Sequence, residues 1–187
     1  LEVRGTTHVA VEHIAIDSRK VQPLGLFVAI PGATVDGHDY IDQAIQAGAA
    51  CVLCERMPEH TPDHVTVIQV KSTASALGHV ASAFHNHPSH DMKVVAVTGT
   101  NGKTSCTQWI AAALTALGEP CAVIGTLGTG MWGHLVHTGF TTPDAPQMQR
   151  SLAQLAAAGA RAVSMEVSSH ALHQGRVNGT AFDICLL

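Results

Sequence analysis

Basic residues are scarce in this chain. Its 187 residues hold 10 Lys and Arg against 14 Asp and Glu, a formal charge of −4 with His neutral. No global positive field therefore argues for a nucleic-acid partner. Long apolar runs are missing too: none approaches the roughly 18 residues that a membrane-spanning helix needs. No secretory leader is visible, although the chain begins at Leu1 rather than at a methionine. Charged residues are few, at 13%, while 46% are hydrophobic, a composition that buries a core and excludes a disordered chain. The length suits one large domain or two small ones. Cysteine is limited to Cys51, Cys54, Cys106, Cys121 and Cys185. An odd number at scattered spacing speaks against a disulfide framework and suits a reducing cytoplasm.

Cys51 and Cys54 do form a C-x-x-C, but inside Ala50–Cys54, which reads as a buried strand. Positions three apart on a strand face opposite sides, so core packing rather than a shared metal is the expectation for both sulfurs.

Short strands and helices alternate along the chain. Strands are expected at Glu12–Asp17, Leu24–Ile30, Ala50–Cys54 and Val65–Val70, with helical spacing over Tyr40–Ala47 and Ser72–His87. Ser72 is a plausible N-cap. Pro88 breaks the second helix, and a domain boundary is placed there, giving domains 1–90 and 91–187. The second part reads as strand Lys93–Thr98, helix Lys103–Leu117 closed by Gly118, and strand Cys121–Ile124. A helix then runs from Pro143 to Ala158, followed by strands Arg161–Val167 and Ala181–Leu187. Such alternation predicts α/β architecture: a small N-terminal α/β domain followed by an incomplete ATPase-type domain on a parallel sheet. Because the last strand coincides with the end of the chain, the expectation is a piece of a longer protein.

The strongest local signal is Val97-Thr98-Gly99-Thr100-Asn101-Gly102-Lys103-Thr104-Ser105, between an apolar strand and a helix. Glycines let the backbone curl so that amides converge, and the helix N-terminus adds positive potential. Lys103 would reach the outer phosphates of a nucleotide and Thr104 would ligate Mg²⁺. Val97 stands where the general G-x-x-x-x-G-K-[ST] pattern has its first glycine, so this is a shorter variant. A bare strand–helix turn that binds nothing is the plainer alternative. Glu166 ends the apolar strand Ala162-Val163-Ser164-Met165, at the edge of a parallel sheet where ligands bind. Its carboxylate would complete an oxygen-ligand Mg²⁺ site, or else cap the next turn.

Two other constellations are weaker. Ser168, Ser169, His170 and Asp183 have the residue types of a hydrolase triad, but no G-x-S-x-G elbow accompanies them. His85, His87 and His90 form H-x-H-x-x-H beside Pro88, which reads as a solvated linker because no Cys or carboxylate pattern completes a metal site.

The loop T-G-T-N-G-K-T closely resembles that of the Mur ligase family, which includes folylpolyglutamate synthases. So do Ile16-Asp17-Ser18-Arg19, Gly25-Leu26-Phe27-Val28-Ala29, Thr141-Thr142-Pro143-Asp144-Ala145, and Met165-Glu166-Val167-Ser168-Ser169-His170-Ala171-Leu172 with the trailing Gln174 and Arg176. The resemblance covers nearly the whole chain shown. It implies an ATP-dependent amide ligase of peptidoglycan synthesis that phosphorylates a substrate carboxylate and lets an amine attack the acyl phosphate. The E-V-S-S-H segment implies addition of the third amino acid to UDP-N-acetylmuramoyl-L-alanyl-D-glutamate. Diaminopimelate is the commoner choice in the family, and lysine the alternative. Carried over residue by residue, the resemblance implies ATP binding at Gly99, Thr100, Asn101, Gly102, Lys103, Thr104 and Ser105. It implies metal binding at Thr104 and Glu166, catalytic roles for Lys103 and Glu166, and acceptor contacts at Ile16, Ser18, Thr141, Thr142, Ser168, Gln174 and Arg176. Phe140 stands where the family often has a polar residue. The loop Gly32–Gly37 aligns with the uridine pocket, where Ala33 and Val35 would offer backbone groups only. For Ser18, turn capping and ligand binding are both open. The rivals are another ligase of the family, or a P-loop nucleotide-binding module without ligase chemistry.

Overall fold

The computed structural model describes residues 1–32 and 34–187; Ala33 lies outside them. The chain divides into two compact units, Leu1–Leu77 and Gly78–Leu187.

The first unit is a five-stranded sheet. Its strands are β1 (Glu2–Arg4), β2 (His13–Ala15), β3 (Gly25–Val28), β4 (Ala49–Cys54) and β5 (Thr66–Gln69), in the order β1-β5-β4-β3-β2. All neighbours run parallel except β1 against β5. Helix α1 (Ile41–Gln46) lays Ile41 and Ala44 on Phe27, Val52 and Val67 of the sheet. Cys54 joins Val52 in that core cluster and Cys51, on the other face, does not. Both thiols are free and buried, and burial pushes that of Cys51 up to about 11. Helix α2 (Thr73–Phe84) starts in this unit, with the Ser72 hydroxyl accepting from the Ser75 amide at 3.2 Å.

The second unit holds β6 (Lys93–Val97), β7 (Cys121–Gly125), β8 (Gly128–Met131), β9 (Ala162–Glu166) and β10 (Ile184–Leu186), in the order β10-β6-β9-β7-β8. Every pair is parallel except β7 with β8. Helix α3 (Lys103–Ala116) covers one face, with Ala111 against Cys121, Val123 and Ala162. Helix α4 (Ala145–Ala157) covers the other, packing Met148, Leu152 and Leu155 on Val94, Ala96, Ile124 and Met165. A sheet covered on both sides needs strands that are apolar along their length, which is why β6, β7 and β9 read as continuous hydrophobic runs. Asp144 caps α4, its carboxylate accepting from the Gln147 amide at 2.9 Å.

The sequence predicts a parallel sheet for the second part, and the structure shows an antiparallel edge in each unit. β1 is short and fully exposed, so it carries no hydrophobic alternation to read. β8, Gly-Thr-Gly-Met, lacks the β-branched run that marks a strand. The short helix α5 (Ser169–His173) is a further addition. β10 spans Ile184–Leu186, shorter than the predicted 181–187.

Candidate active site

Strand register brings three chain segments together. Val97 at the end of β6 lies opposite Glu166 at the end of β9, and Ile124 of β7 lies opposite Met165. The phosphate loop, Glu166 and the Gly125–Thr126 corner therefore sit side by side at the carboxyl ends of three adjacent strands.

Gly102 precedes α3 with φ +82° and open space where a Cβ would stand. Its requirement is conformational: a left-handed residue turns the loop into the helix without strain. The first helical amides have no intrahelical acceptor and, with the helix dipole, favour an anion there. The Lys103 ammonium folds back on the loop, donating to the carbonyls of Gly99 at 2.7 Å and Thr100 at 3.4 Å. Thr100, Asn101 and Ser105 are exposed, while Gly99, Lys103 and Thr104 are half-buried.

Glu166 is 2% exposed. The Thr104 hydroxyl donates to its Oε2 at 3.0 Å, the Thr126 hydroxyl to the same oxygen at 3.1 Å, and the Thr126 amide to Oε1 at 2.8 Å. All three donors are neutral, and among the described residues no ion pair includes this carboxylate. A buried carboxylate without a cation is costly. The Thr104 hydroxyl and Glu166 carboxylate oxygens beside the glycine loop suit Mg²⁺, which takes oxygen ligands and draws the rest from phosphates and water. The Glu166 side chain also fills the space a Cβ on Gly125 would need, its Oε1 colliding with that atom.

The threonine pair lies next to this carboxylate. Thr141 Oγ1 is 3.0 Å from Thr126 Oγ1. The buried Thr142 donates its hydroxyl to the Glu166 carbonyl at 2.9 Å and accepts from the Ser168 amide at 3.2 Å. Arg176 donates from Nη1 to the Thr142 carbonyl at 3.0 Å and from Nε to Gln174 Oε1 at 2.8 Å. The Gln174 amide nitrogen lies 2.8 Å from His170 Nε2. Ser168 caps α5, its Oγ accepting from the Ala171 amide at 3.1 Å, so the next turn has a cap other than Glu166.

Thr126 escapes the sequence reading. Gly125-Thr126 directly follows a buried strand, and that position at the sheet's carboxyl edge is the signal that could have found it. In the first unit, Ser18 is buried and donates to Gln43 Oε1 at 2.8 Å. Its turn is capped by Asp17, which accepts from the Arg19 amide at 3.0 Å. Ile16 is exposed. No triad forms: His170 meets Gln174, while Asp183 accepts from the Val94 amide at 2.7 Å. His87 meets the Ser82 hydroxyl at 3.2 Å, and among the described residues no cluster of three His, Cys, Asp or Glu could hold a metal.

Comparison with known proteins fits this geometry. The profile described as "Mur ligase family, catalytic domain" matches residues 10–85, and that of the "Mur ligase middle domain" matches residues 97–187. The chain belongs to the Mur ligase family. It is 46% identical over 184 residues to a UDP-N-acetylmuramoyl-L-alanyl-D-glutamate–2,6-diaminopimelate ligase of Coxiella burnetii, covering 97% of this chain and 37% of that protein. A ligase of the same name from Ralstonia nicotianae is 51% identical over 179 residues, covering 91% and 34%. A solved structure of a ligase so named superposes with a TM-score of 0.79 at 30% identity, over 94% of this chain and 35% of that one. The Thermotoga maritima MurF ligase, solved with ADP, shares the fold at a TM-score of 0.57 and 22% identity, over 88% and 34%. The chain thus spans a little over a third of the curated relatives' length.

Proposed function

We propose that this chain is the front part of an ATP-dependent ligase that joins an amino acid to UDP-N-acetylmuramoyl-L-alanyl-D-glutamate, with ADP and phosphate as products. Residues 1–90 receive the uridine-diphosphate end of the acceptor, and residues 91–187 bind ATP and Mg²⁺. The amino acid is diaminopimelate, in keeping with the names of relatives 46% and 51% identical. The reaction takes place in the cytoplasm, with neither nucleic acid nor membrane as partner.

The observation that carries the reading is the buried Glu166 beside the Lys103–Thr104 helix start, with no cationic side chain paired to it among the described residues. Thr104 and Glu166 would hold Mg²⁺, which when bound offsets negative charge on the transferring phosphoryl group. The amides from Gly99 to Ser105 cradle the phosphates. The Lys103 ammonium moves from the Gly99 and Thr100 carbonyls to the outer phosphates and orients the γ-phosphoryl toward the acceptor carboxylate. Thr141, Thr142, Ser168, Gln174 and Arg176 orient the acceptor, the Arg176 fork suiting a phosphate or carboxylate, and Ile16 and Ser18 contact its nucleotide end.

Phosphate release from ATP by the full-length protein tests this. Acceptors of increasing peptide length are supplied, each with diaminopimelate or lysine. Release with the L-Ala-D-Glu acceptor and diaminopimelate alone is expected, and Lys103→Ala should abolish it. Release with another acceptor moves the step within the family. A protein that binds ATP yet releases no phosphate with any acceptor refutes the ligase reading in favour of a nucleotide-binding module.

A further inference from the structure

We propose that Thr126 is a positioning residue that couples acceptor binding to Mg²⁺–nucleotide binding by reversing the direction of one hydrogen bond. The inference rests on the ligase reading above and adds a mechanism to it. The Thr126 hydroxyl has one proton and two close neighbours, Glu166 Oε2 at 3.1 Å and Thr141 Oγ1 at 3.0 Å. A carboxylate oxygen accepts only, so Thr126 gives its proton to Glu166 and takes that of Thr141. In the free protein both protons run inward, from Thr141 to Thr126 to Glu166.

An anionic group of the acceptor, phosphate or carboxylate, also accepts only. Meeting the half-buried Thr141, it draws that proton outward. Two hydroxyl oxygens 3.0 Å apart then stay bonded only if Thr126 turns its proton to Thr141, and Glu166 Oε2 gives up one donor. A cation at Oε2, which accepts from both Thr104 and Thr126, makes the same demand from the other side: it leaves one of those donors without a lone pair, and Thr126 is the one with another acceptor, Thr141 Oγ1, within reach. Each event removes the cost of the other, so the two bindings are positively coupled, and by linkage the coupling is reciprocal. The Thr126 amide bond to Oε1 at 2.8 Å is untouched and holds the carboxylate in place while the hydroxyl turns.

Calorimetry on the full-length protein measures it. The Kd of Mg²⁺ with a non-hydrolysable ATP analogue is determined with and without saturating UDP-N-acetylmuramoyl dipeptide. Wild type should bind about tenfold tighter with acceptor present, within the usual range of coupling. Thr126→Val should bring the ratio close to one, and Thr126→Ser, which restores a hydroxyl, should recover it. UDP in place of the dipeptide separates the sources: coupling by UDP assigns the anion to the diphosphate, and coupling by the dipeptide alone assigns it to a carboxylate. A Thr126→Val protein with the wild-type ratio overturns the proposal. Thr141→Val provides the check if Thr126→Val does not fold, because it breaks the same relay and must also lose the ratio. Wild type that binds both ligands without coupling refutes this inference alone, whereas wild type that binds neither refutes the ligase reading with it.

Discussion

The two units build similar sheets and treat their most buried acids differently. Each is a five-stranded sheet of parallel pairs with one antiparallel edge. In the first, Asp17 and Asp36 are matched by arginines, while the half-buried Glu55 that follows β4 accepts from the Thr73 amide and hydroxyl at 2.8 and 3.0 Å. Asp17 holds Arg19 at 2.8 Å, and Asp36 lies 2.7 Å from His38 and 2.6 Å from Arg56. The His38 ring in turn accepts from the Glu55 amide at 2.9 Å. In the second, Glu166 is far more buried and is given only hydroxyls and an amide. Among the described residues Glu166 meets no cationic side chain, whereas the half-buried Asp17 and Asp36 meet arginines, the pattern expected if Glu166 is to take a ligand's charge.

The sharpest way to break this contrast is Glu166→Gln. It keeps the shape and removes the charge, and the expected loss of ATP-dependent phosphate release is about a hundredfold or more, read in an Mg²⁺ titration. Activity near the wild-type level would place Glu166 with the structural acids of the first unit. Next comes Gly125→Ala, whose Cβ meets the Glu166 carboxylate. Crowding a packed site costs about 1–3 kcal/mol, so thermal melting should fall. The Mg²⁺ requirement should also rise, which an alanine at a merely tight turn would not cause. Ser18→Ala probes the first unit. Losing the bond to Gln43 should cost about 1 kcal/mol in urea unfolding, and a raised KM for the nucleotide peptide with unchanged kcat would add the contact proposed for it. The smallest effect belongs to Asp17→Asn. The Arg19 side-chain bond holds the Asp17 carboxyl at about 2, below its ordinary 3.8. A lowered pKa stabilises the fold above the ordinary value, and that contribution fades as pH falls from about 3.8 to about 2. Stability against pH across that window should therefore be flatter in the variant.

Much of the fold is legible in the residues because burial on both faces writes itself as apolar runs. Val94–Val97, Cys121–Ile124 and Ala162–Met165 declare strands, and Asp144 or Gly102 declare where helices begin. The edges β1 and β8 are not legible, because an exposed or glycine-rich strand carries no periodic pattern. Similar reasoning applies to the candidate site. Lys103, Thr104 and Glu166 stand out by residue type and position. Thr126 does not, since a lone threonine after a strand has many ordinary uses, and only the three-dimensional meeting of β7 with β9 shows what it touches. Ser168 illustrates the converse: the sequence predicts a contact to the acceptor, and the structure shows its hydroxyl capping α5.

The strand order has a consequence for how the molecule comes to be. β6 and β7 bear the phosphate loop and the Thr126 corner, yet they share no edge, for β9 is inserted between them. Sixty-two residues separate Thr104 from its partner Glu166. Closing so long a span before any reward arrives makes such pairings slow to form. During synthesis, the candidate site therefore stays unassembled until the segment bearing Glu166 has emerged and slotted into the middle of the sheet. Competence appears in one late event rather than by degrees.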